Sequence, residues 1–135
     1  MRWVSRLITE LVRLEDKVAR YGGEELAIIL PDTDTQTAFE IAERLRHTFE
    51  AQPFEFMQRL DFSNSSHAED GNERRVLIPL TVSLGVAGLP EDASSEEGLL
   101  EAADQALYEA KRAGRNRTLA YNETQVRLEL SRARW

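Results

Sequence analysis

Two adjacent carboxylates, Glu24 and Glu25, follow directly on a Gly22-Gly23 pair, and this cluster is where the chain could do chemistry. Neighbouring acids can offer oxygen ligands to a hard cation, and glycine lets a ligand come close to the main chain. A solvated turn shows the same pattern, because paired surface acids are common. The flanking residues turn the cluster into a hairpin. Val18–Tyr21 and Leu26–Leu30 are short β-prone runs, and Gly-Gly between such runs predicts a two-residue primed turn at positive φ. The second run is apolar at every position, which predicts a strand buried on both faces.

The rest of the chain must position that hairpin. Val4, Leu7, Ile8, Leu11 and Val12 fall on one face of a helix over Met1–Val12. The connector Arg13-Leu14-Glu15-Asp16 reads by itself as a helix-end cation followed by a turn former. After Pro31 a polar turn offers Asp34 or Thr35 as N-cap. The second helix runs to about Glu50 on a stripe of Ala38, Ile41, Ala42, Leu45 and Phe49. His47 lies off that stripe and carries no assigned role, and Arg44 is compatible with a solvated polar face. Pro53–Phe62 predicts an edge strand, and Ser63–Arg75, which holds His67, a long polar hairpin loop. Val76–Ala87 predicts one further strand, with Pro79 marking a bulge or edge. Ser94 and Glu97 predict a capping box for a helix that buries Leu99, Leu100, Ala103, Ala106, Leu107 and Ala110 and stops at Gly114. Arg117–Tyr121 predicts a last strand. Residues 122–135 form a charged tail, either helical or disordered.

Composition narrows the function. With 135 residues the chain is at most one domain, yet large enough for a core. A net charge of −7 argues against a polyanionic partner such as a nucleic acid polymer, although a nucleotide needs only a few local cations. There are no cysteines and only two histidines, which leaves no thiolate site and no histidine-rich centre. No apolar run has membrane-spanning length and no signal peptide is visible, so the cytoplasm is the expected compartment.

Four stretches, in order, resemble one family. Arg-Tyr-Gly-Gly-Glu-Glu-Leu followed by Ala-Ile-Ile-Leu-Pro is similar to the signature hairpin of the GGDEF family, the diguanylate cyclases, with Leu26 where that family usually has Phe. Arg13-x-x-Asp16 stands five residues before Gly22, the register of the family's product-inhibitory site, and Arg44 in Ala-Glu-Arg-Leu-Arg matches the arginine that completes it. Thr81–Ala87 and the closing run from Ala106 to Asn116 resemble two further family segments. The resemblance implies an α+β fold like the palm of nucleotidyl cyclases, a central, mostly antiparallel sheet flanked by helices, over residues 1–121.

It also implies the roles. Two GTP would be condensed to cyclic di-GMP with release of pyrophosphate, by a homodimer in which each domain holds one GTP. Glu24 and Glu25 would be the catalytic, metal-binding acids for two Mg2+ or Mn2+ ions. Gly22, Gly23, Lys111 and Arg115 would hold substrate phosphates, although Lys111 is equally a cation complementing a helix end. Arg13, Asp16 and Arg44 would bind cyclic di-GMP, since a guanidinium can pair with guanine O6 and N7 and a carboxylate can accept from its N–H groups. The family's first strand, with a metal-binding aspartate, and its first helices, with the guanine-reading residues, have no counterpart in this sequence. The chain is therefore expected to be an N-terminally truncated GGDEF domain, inactive by itself. A truncated gene product, a wrongly started reading frame and an excised fragment all fit, and a sensory or regulatory region is expected in the full protein. The alternative function is an inactive cyclic di-GMP-binding module.

Overall fold

The computed structural model describes residues 2–59 and 73–133. The expected loop over 63–72, with His67, and the 60–62 end of the expected edge strand lie outside the described residues. Glu73–Arg75, placed in the loop by composition, belong to a strand.

The chain opens with α1 (Arg2–Leu11), then β1 (Lys17–Arg20) and β2 (Leu26–Ile29), which pair antiparallel with Arg20 opposite Leu26. Helix α2 (Thr35–Ala51) follows. Its N-cap is Asp34, whose carboxylate accepts from Thr37 N at 2.7 Å. That backbone hydrogen bond holds the Asp34 carboxyl below its ordinary pKa. Leu7 and Ile8 of α1 meet Ile41, Leu45 and Phe49 of α2 in the main core, against which Leu26, Ile28, Leu30, Val82 and Leu84 pack. Trp3 closes one end, edge-on to Phe49 at 5.7 Å and to Phe54 at 5.3 Å.

The expectation that both faces of the second hairpin arm are buried is corrected. Leu26 and Ile28 point into the core, while Ile29 is 58% exposed. Successive side chains on a strand point to opposite faces, and the main core lies on only one of them.

β3 (Phe54–Arg59) and β4 (Glu73–Ile78) form a second antiparallel pair. The single strand expected over Val76–Ala87 is two strands: β4 stops before Pro79, which has no N–H for a ladder, and β5 (Leu84–Val86) starts five residues later. α3 (Glu96–Arg112) is capped by Ser95, which accepts from Gly98 N at 3.1 Å, so the cap lies one residue beyond the expected Ser94. β6 (Thr118–Ala120) pairs parallel with β5, Gly85 opposite Leu119. The expected last strand is shorter at its end, because Tyr121 already begins α4 (Tyr121–Ala133), which packs on α3 and β6 and buries Thr124. Over residues 122–133 the tail is helical. Among the described residues two of the three strand pairs are antiparallel, and helices pack on β1, β5 and β6, so the α+β architecture stands.

β5 and β6 both contact α2 and α3, and α3 turns a stripe of small residues, Ala102, Ala106 and Ala110, inward. Of the expected stripe Ala106 and Ala110 are buried, and Ala102 is buried in addition. Leu99 and Leu107 are half-buried and Leu100 is 41% exposed. The reason is Gly85, which lets β5 come directly onto the backbone of α3, where only alanines fit between. This close seat sets where the C-terminal end of α3 emerges.

Candidate functional site

The acidic loop spans five residues, Tyr21–Glu25, between paired Arg20 and Leu26. Tyr21 N and Gly22 N both donate to Glu25 O, at 2.9 and 3.1 Å. Neither glycine takes a positive φ, so the expected two-residue primed turn is replaced by a wider loop. Arg20, which the sequence reading gave no role, folds back over it, donating to Gly22 O at 3.2 Å and Gly23 O at 3.0 Å. Its position two residues before the glycines was the available signal.

These bonds divide the loop's polar groups. Gly22 N donates within the loop, to Glu25 O. Gly23 N has no backbone partner among the described residues, and a Cβ built on Gly23 would meet nothing within 4 Å. Gly23 therefore borders open space at an unstrained φ, as a backbone approached by a ligand would.

Glu25 and Lys111 stand 86 positions apart in sequence, yet their side chains form an ion pair at 3.1 Å, each about one-third exposed. This contact joins the acidic loop to the last turn of α3. Glu24 is exposed and unpaired among the described residues. No three His, Asp or Glu side chains among the described residues gather into a metal-binding group. Mg2+ wants about six oxygens and is often held by one or two carboxylates together with water and substrate phosphates. Glu24 and Glu25 fit the carboxylate share of such a site.

α3 ends in a Schellman motif. Arg115 N bonds Ala110 O at 3.1 Å and Gly114 N bonds Lys111 O at 3.3 Å, with Gly114 at φ 119°. Arg115 and Asn116 then also take positive φ, 63° and 46°. For a non-glycine residue such a backbone costs about 1–3 kcal/mol and persists only where the surroundings enforce it. The Arg115 side chain is exposed, four residues beyond Lys111, and makes no hydrogen bond or ion pair to the acidic loop among the described residues.

The connector is also built. Asp16 is buried and accepts from Arg13 N at 2.7 Å, while Arg13 Nη2 donates to Asp16 Oδ1 at 3.2 Å, to Thr33 Oγ1 at 2.6 Å and to Pro31 O at 3.3 Å. The hydrogen bond to Asp16 raises the Arg13 pKa above its ordinary value. Arg44, in contrast, is exposed on α2 and makes no side-chain hydrogen bond or ion pair among the described residues. The structure thus joins Arg13 to Asp16, and among the described residues Arg44 bonds to neither. Among the described residues no helix is long and apolar enough to cross a membrane.

Comparison with known proteins agrees with this geometry. The family model of the diguanylate cyclase GGDEF domain matches residues 1–117. The chain is 36% identical over 120 residues to diguanylate cyclase A of Treponema denticola, covering 88% of this chain and 28% of that protein. It is 36% identical over 105 residues to the response regulator PleD of Caulobacter vibrioides, covering 78% of this chain and 20% of that protein. Among solved structures, the active GGEEF domain of a diguanylate cyclase from Vibrio cholerae superposes with a TM-score of 0.65 at 30% identity, over 89% of this chain and 65% of that one. The GGDEF domain of DgcB from Caulobacter crescentus, in complex with c-di-GMP, gives 0.63 at 30% identity, over 90% of this chain and 62% of that one. The chain spans less than a third of these two curated relatives. With the hairpin, the α3 terminus and these matches in agreement, the chain belongs to the GGDEF-domain family.

Proposed function

We propose that residues 1–121 are the GGDEF portion of a diguanylate cyclase, a nucleotidyltransferase that joins two GTP into cyclic di-GMP in the cytoplasm, as a homodimer with one GTP on each copy. The Glu25–Lys111 ion pair carries this reading, because it sets the acidic loop against the cationic end of α3. Acids for a cation and a cation for phosphates are what a bound nucleoside triphosphate requires. Each of two displacements forms one 3′-O–P bond at an α-phosphorus and releases one pyrophosphate and one proton. An ion, Mg2+ or Mn2+, held by Glu24, Glu25 and phosphate oxygens would offset the charge that develops at that phosphorus. Glu25 must exchange Lys111 for that role, which frees the Lys111 ammonium for the triphosphate. Gly23 N–H is open to a phosphate oxygen, and Arg115 stands four residues beyond Lys111. That the chain spans 28% and 20% of its curated relatives supports control by a sensory or regulatory region elsewhere in a full protein.

Two carboxylates are too few for a two-ion reaction, so residues 1–135 given GTP and Mg2+ are expected to yield no cyclic di-GMP by chromatography. The cyclase reading is tested by exchange. Residues 1–117 replace the matching segment of the Vibrio cholerae cyclase, whose remaining residues complete the domain. The chimera is expected to turn over GTP, and Glu24→Gln to stop it. A folded chimera without turnover overturns the reading.

Gly23→Ala separates ligand approach from folding. A Cβ there meets nothing in the folded chain, so urea denaturation is expected to shift by no more than about 0.5–1 kcal/mol, in either direction. GTP turnover by the chimera is expected to fall at least about tenfold, as when one backbone donor to a reacting phosphate is displaced. Unchanged turnover would remove Gly23 from the site.

A second reading has its own observation. The built Arg13–Asp16 pair favours a site for cyclic di-GMP on the connector, with or without catalysis.

A further inference from the structure

The side chain of Arg46 on α2 is only 15% exposed, and it forms a closed ring of contacts that neither the acidic loop nor the connector uses. Its Nε donates to Glu43 Oε2 at 2.8 Å. Its Nη1 donates to Glu50 Oε2 and to Asn116 Oδ1, both at 3.2 Å. Asn116 Nδ2 in turn donates to the same Glu50 oxygen. An arginine only donates and an ionised carboxylate only accepts, so both ends of the Asn116 amide are chemically specified. The ring joins the last turn of α2 to the segment just beyond α3, 70 positions away in sequence.

What the ring holds is the left-handed pair Arg115-Asn116. The Schellman bond fixes Arg115 N, and Arg117 Nε fixes Arg115 O at 3.0 Å. Asn116 is the next residue, and asparagine is among the few side chains that tolerate this backbone. A strained backbone that is tied on both sides and continues into a clamp over-determines where the exposed Arg115 side chain starts.

We infer that Arg46, Glu50 and Asn116 are positioning residues: through the Asn116 amide they hold Arg115 in its left-handed conformation and so set the cation that meets the substrate's triphosphate. This rests on the proposed reading of Arg115 as a phosphate-binding residue. Glu43 completes the Arg46 guanidinium, and His47 Nε2, 3.1 Å from Arg46 Nη2, lies at its exposed side.

Titration of the 135-residue chain with Mg·GTP, followed by backbone NMR, tests both levels. Arg115→Ala is expected to weaken binding. Asn116→Asp keeps the shape and the tolerance for positive φ but sets an acceptor against Glu50. It is expected to move the Arg115 Cα shift away from its left-handed value and to weaken binding about tenfold, as a misplaced group does. The exchange Glu50→Gln with Asn116→Asp restores a donor opposite an acceptor between residues 50 and 116 and keeps the Arg46 Nη1 bond to residue 116, giving up only the bond from Arg46 to residue 50. It is expected to return the Arg115 shift and to bring the affinity within about threefold of wild type. A purely structural ring would change thermal stability and leave the Mg·GTP affinity where it was. Wild type without Mg·GTP binding, or Arg115→Ala binding as well as wild type, overturns the phosphate reading and this inference with it. Binding that needs Arg115 but ignores Asn116→Asp, or no recovery in the exchanged pair, overturns the clamp alone.

Discussion

Gly85→Ala is expected to destabilise the chain by at least about 3 kcal/mol, the upper end of what overpacking a core costs. The added Cβ would fall on Ala103 O and Leu107 N of α3, with Ala106 C at 3.0 Å. These are backbone atoms, so no rotamer change relieves the overlap, and either β5 or α3 must move. β5 is three residues long and held by β6 on one side, while α3 carries its own buried Ala102, Ala106 and Ala110 against the same seat. A domain of this size has about 5–15 kcal/mol in total, so the loss is a large share. With a urea slope of about 1–3 kcal/mol per molar, the midpoint falls by roughly 1 M or more. Far-UV circular dichroism through a urea series measures it. A midpoint unchanged from wild type would mean that β5 does not sit on the α3 backbone. Displacing α3 also displaces Lys111, so the Glu25 contact is expected to be lost in any folded fraction.

Arg13→Ala is expected to lower the affinity for cyclic di-GMP by about 5- to 150-fold, the range of one bidentate arginine–guanine contact. Arg13 is half-exposed and already oriented. Asp16, Thr33 and Pro31 hold its Nη2, and Nη1 has no partner among the described residues. A guanidinium whose plane is fixed before binding loses less entropy when it meets guanine O6 and N7. Arg13→Lys keeps the cation beside the buried Asp16 carboxylate and loses the fork. It is expected to fold as wild type and still bind several-fold more weakly. Arg44→Ala is expected to matter less, because among the described residues no hydrogen bond or ion pair orients Arg44 before binding. Cyclic di-AMP is expected to bind weakly, since adenine presents an amino group where guanine presents O6. Added salt is expected to weaken cyclic di-GMP binding, because the chain carries a net −7 and relies on local cations. Calorimetry on the three variants measures this. Equal affinity in wild type and both Arg13 variants would remove the connector from the site.

The sequence by itself determined the family, the element types and the two clusters that carry the chemistry. Helical periodicity found α1 and α2, and Gly114 marked the end of α3, because burial of an apolar stripe and the need for a left-handed C-cap are local constraints. The acidic hairpin and Arg13-x-x-Asp16 are contiguous motifs, so their residues are near each other in any fold. The tertiary structure decided what depends on contacts between distant residues. Pairing of Glu25 with Lys111 and of Arg46 with Asn116 joins positions 86 and 70 residues apart, and no local pattern encodes such a meeting. The width of the acidic loop was set by the register of β1 against β2, which gave Gly22 N an internal partner and left Gly23 open. Leu100 came out exposed and Ala102 came in beside the expected Ala106 and Ala110, because Gly85 brings β5 onto that helix more closely than a leucine allows. Periodicity says that one face of α3 is buried. The distance to its neighbour selects which face.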